Sequence, residues 1–206
     1  MLVEGDGEYH ALPYLVSRIH TEHEILQRPL RSPIHPLSAV GSIARAAVPS
    51  ARILIGRGAD RVVLLLDHED RPACPGVFAE GLATNLRRLL APSHPRTEVA
   101  VVVKVQAFEN WLIADGGAVL QLTGLFPRSR GLAGHVSANW ADHLNALDLL
   151  EHCSHPNRGY DKIKGALRIC QVMDPAGAAR NSRSFRRFLR VLGHPLYRNQ
   201  SRLPVQ

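Results

Sequence analysis

The chain has 206 residues, of which 45% are apolar and 21% charged, and it carries a formal charge of +7. That length suits one domain, or one domain with an appendage, and can bury a sizeable core. Membrane-spanning classes are excluded, because no apolar run reaches the roughly 18 residues a spanning helix needs. Cys74, Cys153 and Cys170 are too few and too scattered for a disulfide framework or a zinc site.

Met1–Glu4 reads as a short strand, and Gly5-Asp6-Gly7 as the turn into a helix from about Glu8 to Leu26. Tyr9, Leu12, Leu15, Val16 and Ile19 recur there at near-helical spacing. Prolines exclude a regular helix over residues 28–41 and predict a loop with a short extended piece near Pro36–Val40. Residues 42–59 read as helix broken at Pro49 and closed by Gly56 and Gly58.

The run Val62-Val63-Leu64-Leu65-Leu66 predicts a strand over 61–66 buried on both faces, as in a parallel sheet. It runs directly into Asp67-His68-Glu69-Asp70. Clustered carboxylates repel one another unless a positive group sits between them. A hard divalent cation, Mg²⁺ or Mn²⁺, is the usual remedy, and a solvated acidic turn is the alternative. A helix follows from about Gly76 to Leu90, with Val77, Leu82, Leu86, Leu89 and Leu90 on its apolar face. Val99–Val105 reads as the next strand, with Lys104 near its end, where it would neutralise acids or phosphate.

Strands alternating with helices predict an α/β fold with a mostly parallel central sheet flanked by helices, over residues 1–123. Ligands of such sheets bind outside the carboxyl ends of the strands. Glu4, Asp67 with Glu69 and Asp70, and Glu109 all follow predicted strand ends and are the expected metal ligands. Glu4, Asp67, Glu69 and Lys104 are the expected catalytic set.

Residues 124–206 read as a helical extension. A Gly-, Ser- and Arg-rich loop over 124–137 leads into a helix near Ala138–His152, with Trp140, Leu144, Leu147 and Leu150 inward. Lys162, Lys164 and Arg168 surround Tyr160, and Asp161 is placed to cap the helix that follows. Asp174-Pro175 is a strong helix start. Phe185, Phe188, Leu189 and Leu192 form one stripe ended by Gly193, and Arg180, Arg183, Arg187 and Arg190 fall along another face. No acidic residue follows Asp174, whereas seven arginines do, so the excess charge sits at this end. Lys162, Lys164 and those four arginines are the expected contacts to a nucleic-acid backbone.

Val3-Glu4-Gly5 before a helix, with Leu65-Leu66-Asp67-His68-Glu69 after a buried strand, resembles the Toprim arrangement. There a glutamate after the first strand and an Asp-x-Asp after a later one hold Mg²⁺ for phosphodiester chemistry. Glu69 stands where the second aspartate would be. Phe108-Glu109-Asn110-Trp111-Leu112-Ile113-Ala114-Asp115, Tyr160-Asp161-Lys162 and Ser184-Phe185-Arg186-Arg187-Phe188 resemble a narrower group, the Toprim-like bacterial domain of unknown function 4276. The resemblance implies a Toprim-like Rossmannoid core and a Mg²⁺-dependent nuclease, by analogy in phage defence beside an ATPase partner. The alternatives are a catalytically inactive interaction subunit and a metal-dependent nucleotide-binding regulator. The start of the chain lacks the basic and apolar regions of a signal peptide, so a cytoplasmic protein is expected.

Overall fold

In the computed structural model, described over residues 1–25, 28–69, 71–136 and 140–200, all four strands of the sheet run parallel. They are β1 (Leu2–Val3), β2 (Leu30–Arg31), β3 (Arg61–Asp67) and β4 (Glu98–Lys104), in the spatial order β2-β1-β3-β4. β3 and β4 pair along their whole length, which sets Asp67 beside Lys104.

Successive side chains of a strand point to opposite faces, and β3 feeds two cores in that way. Val62, Leu64 and Leu66 pack with α2 (Val40–Gly56) and α3 (Pro75–Leu90). Val63 and Leu65 face the other side, against α1 (Asp6–Val16) and α4 (Phe108–Ala114). The same alternation sends Asp67 to the α1 and α4 side.

After α4 come α5 (Gly116–Gln121), the single turn α6 (Leu132–His135), α7 (Ala146–Cys153), α8 (Lys164–Val172), α9 (Pro175–Asn181) and α10 (Arg183–Val191). They share the α1 and α4 core with the sheet through Leu150, Ile169, Phe185 and Phe188. The interlock is specific. Trp111 is fully buried, stacks on Phe188 at 4.9 Å, meets Phe185 edge-on at 5.3 Å, and donates its Nε1–H to Ser184 Oγ at 2.7 Å.

Several elements differ from the sequence expectation. α1 ends at Val16, well before Leu26, which lies outside the described residues. The Ser17 hydroxyl donates to the Tyr14 carbonyl there, a local bond that competes with further helix. The extended piece between α1 and α2 is Leu30–Arg31, not Pro36–Val40, because Leu30 and Ser32 donate to the carbonyls of Met1 and Val3. α2 runs unbroken through Pro49, since packing of its buried face outweighs one missing amide. Trp140 is 53% exposed rather than inward, in a turn before a short 3-10 segment, Ala141–His143.

The single helix expected after Asp174 is two helices. Ser182 is extended (φ −130°, ψ 120°) and its hydroxyl bonds to the buried Asp142 carboxylate at 2.6 Å. Arg180 therefore belongs to α9 and the remaining arginines to α10.

Candidate metal centre

β1 and β3 end at the same level of the sheet, so Glu4 and Asp67 meet although 63 residues separate them. Glu4 Oε1 accepts the backbone N–H of Asp67. Glu8 joins them from the first turn of α1, one helical turn beyond Glu4 once the chain has bent at Gly5. One carboxylate oxygen from each of Glu4, Glu8 and Asp67 lies within 4.8 Å of the others. Glu8 was not among the expected ligands. The signal available for it was the spacing Glu4-Gly-Asp-Gly-Glu8, which spans a strand end and the opening turn of a helix.

Lys104, carried to the same point by β4, has no exposed surface. Its Nζ lies 2.8 Å from Asp67 Oδ1 and 3.4 Å from Glu4 Oε1, and it donates to Glu8 Oε1. The ring of Phe108 lies 5.6 Å from the ammonium. Three carboxylates against one ammonium leave a formal deficit of two positive charges.

The imbalance favours the protonated form of two of the three acids. Burial raises the Asp67 carboxyl, against the pull of Lys104 and with the push of Glu4 and Glu8, to about 8. Burial likewise raises Glu4, although Lys104 draws it back. At Glu8 burial works upward too, but the Lys104 ammonium and its hydrogen bond prevail and hold the group low. Burial disfavours the Lys104 charge, yet Asp67, Glu8 and Glu4 outweigh it and keep the amine protonated far above its usual range. One oxygen, Glu4 Oε2, is buried with no hydrogen-bond partner among the described residues. Orphaned buried acceptors are costly, and an acceptor-only oxygen beside two further carboxylates is the donor set of a hard divalent cation.

The other expected ligands stand apart. Glu69 is exposed, in the left-handed region (φ 50°), and its N–H bonds to the carbonyl of Gln106, which is left-handed as well (φ 62°). This paired turn takes Glu69 out of strand geometry and onto the wall of a neighbouring pocket of about 630 Å³, shared with Gln106, His143, Arg183 and Arg187. Glu109 is buried in α4 and is not one of the three carboxylates that converge. Asp70 lies outside the described residues.

A sequence family described as a domain of unknown function, DUF4276, matches residues 3–193. The chain belongs to the DUF4276 family. No curated protein and no solved structure matches the chain. The family match takes in both the Glu4–Asp67 centre and the Trp111–Ser184 interlock. The Phe108–Asp115 string is chiefly architectural. Phe108, Trp111 and Leu112 fill the core, and Asn110 donates to the carbonyls of Ala141 and Leu144 at 2.8 Å each. Asp115 accepts the N–H of Asp174 at 2.6 Å, anchoring the start of α9.

The expected nucleic-acid contacts fall in separate places. Lys162 and Lys164 are exposed at the start of α8, and the Lys162 carbonyl lies against Gly7 of α1, near the acidic centre. Arg180 is exposed on α9. Arg183 lines the pocket beside Glu69, Arg190 lines a second groove along β4, and Arg187 lines both. Among the described residues no helix is long and apolar enough to cross a membrane.

Proposed function

We propose that this DUF4276 domain is a divalent-cation-dependent phosphodiesterase acting on nucleic acid, with Glu4, Glu8 and Asp67 holding Mg²⁺ or Mn²⁺. The observation that carries this reading is the convergence of those three carboxylates at the carboxyl ends of β1 and β3, two charges short of balance and with one oxygen orphaned. A bound divalent cation supplies Lewis-acid polarisation of a phosphoryl oxygen and a more acidic bound water. The chain's own part is positional. Glu4 is fixed by the Asp67 amide, Glu8 by the first turn of α1, and Lys104 holds a permanent positive charge beside the place where negative charge develops. Arg183 and Arg187, on the neighbouring pocket, suit a phosphate backbone without reading its sequence. A setting in phage defence with an ATPase partner is part of the same proposal.

Lys104 also favours a second reading. Its ammonium sits among all three acids, as in a buried ion cluster serving only the fold, which suits a catalytically inactive interaction subunit. Cleavage of labelled single- and double-stranded DNA and RNA with Mg²⁺ or Mn²⁺, comparing wild type with Asp67→Ala, separates the two. Loss of cleavage in the variant supports the phosphodiesterase; equal cleavage, or none by either protein, leaves the ion cluster.

A further inference from the structure

β4 is an edge strand: it pairs with β3 on one side, and no strand pairs with its other side among the described residues. The hydrogen bonds fix which residues face outward. Glu98 donates to the carbonyl of Asp60, and His68 donates to that of Lys104, each at 2.8 Å. Bonding residues alternate along a parallel ladder, so Glu98, Ala100, Val102 and Lys104 turn their peptide groups to β3. Val99, Val101 and Val103 turn theirs away. Arg87 confirms the direction by donating to the Val99 carbonyl from outside the sheet, at a long 3.5 Å.

These outward peptide groups open into a groove of about 540 Å³, floored by Val99 to Val103 and walled by α3 and α10. Natural sheets usually cover, bulge or shorten an edge of this kind. Here α3 and α10 flank it and leave a slot. The lining carries five arginines (Arg61, Arg87, Arg187, Arg190, Arg198) against three glutamates (Glu22, Glu80, Glu98), so its formal charge is positive.

We propose that this groove binds an extended acidic segment of a partner protein, which adds a fifth strand along β4. The outward N–H groups of Val99, Val101 and Val103 and the outward C=O groups of Val101 and Val103 match a second peptide backbone, which offers both donors and acceptors at that repeat. A DNA backbone offers acceptors alone and leaves the strand's carbonyls unanswered, and the 2′-hydroxyls of RNA do not repeat at the spacing of a β-strand. Two copies of this chain paired through β4 would bring two arginine-lined walls together, so like charge opposes self-pairing. Carboxylates on alternate residues of the added strand would meet those walls. This inference stands apart from the metal centre and holds whether or not the domain cleaves phosphodiesters.

The test uses the full chain and a blocked peptide of about nine residues alternating valine with glutamate, a length that spans β4. Binding is read by fluorescence anisotropy and by amide chemical shifts. The expected result is saturable, salt-weakened binding that shifts the Val99, Val101 and Val103 amides, with at least about tenfold weaker binding when lysine replaces glutamate. Val101→Pro removes one outward N–H and no bond to β3, and edge strands tolerate proline; it should weaken binding about tenfold or more. Should that variant fail to fold, Arg87→Glu reads the same interaction through the wall charge. The proposal is overturned by absence of peptide binding, or by equal binding to wild type and both variants. It is likewise overturned by concentration-dependent dimerisation that shifts the β4 amides in the protein alone. An oligothymidylate of about twelve nucleotides that displaces the peptide and shifts the same amides would assign the groove to nucleic acid instead.

Discussion

Lys104 Nζ lies 2.8 Å from Asp67 Oδ1, and the two residues are register partners on adjacent parallel strands. The sheet itself therefore sets the ammonium among the acids, and no loop movement is needed to bring them together. Removing the amine leaves three buried carboxylates uncompensated, and losing one partner of a buried ion pair typically costs about 3–5 kcal/mol. Lys104→Met should lose stability of that order in metal-free buffer, measured by urea unfolding. If the three acids form a cation site, part of that loss returns when Mn²⁺ is added, and a purely structural cluster shows no such recovery.

Direct metal binding has a signature that spares most of the acids. Mg²⁺ or Mn²⁺ should raise the wild-type melting temperature, because a ligand bound only by the folded chain stabilises it. Glu8→Gln should reduce that shift as severely as Glu4→Gln does. Glu69→Gln and Glu109→Gln, away from the centre, should leave it within error.

The raised Asp67 carboxyl predicts a pH dependence of definite sign. Its folded value of about 8 exceeds the ordinary 3.8, so the folded chain holds a proton that the unfolded chain releases between those limits. Stability from this group is complete below about pH 4 and is lost as the pH rises toward 8. In metal-free buffer the melting temperature of wild type should therefore fall from pH 5 to pH 8 by roughly 10 °C relative to Asp67→Asn, about 3–4 kcal/mol for a chain of this size. Metal affinity should rise over the same interval, since cation and proton compete for one carboxylate.

Asp142 gives a prediction remote from the metal centre. Its buried carboxylate accepts from the hydroxyl of Ser182 at 2.6 Å and from the hydroxyl and N–H of Ser184 at 2.8 and 2.9 Å. Ser184 in turn accepts from Trp111. Asp142→Ala leaves several buried donors unpaired and should cost about 2–4 kcal/mol, since each unmet group costs roughly 1–3 kcal/mol. A red-shifted Trp fluorescence maximum and an earlier urea midpoint would report it. The exposed Trp140 also contributes to the emission, so Trp140→Phe is the background for that measurement.

Much of the scaffold was legible in residue order alone. The apolar runs at 62–66 and 99–103 read as strands covered on both faces and are β3 and β4, and the acids just past strand ends 1 and 3 emerge at one edge of the parallel sheet. The aromatic stripe Phe185–Phe188–Leu189 likewise announced a helix that docks. These features follow from periodicity, which is a local property of the chain.

Folding decided which of the acids share a cavity. Glu69 is two residues from Asp67 and looked equivalent to it, yet two left-handed residues at the loop turn it to another pocket. Glu109 follows β4 closely but is swallowed by α4. Glu8 and Lys104 enter the centre through a helix turn and a strand register that bring together residues 96 positions apart. The arginines divided because Ser182 prefers the buried Asp142 carboxylate to a continuous helix. Each of these outcomes depends on long-range packing and burial, whose energies exceed the local preferences that sequence order displays.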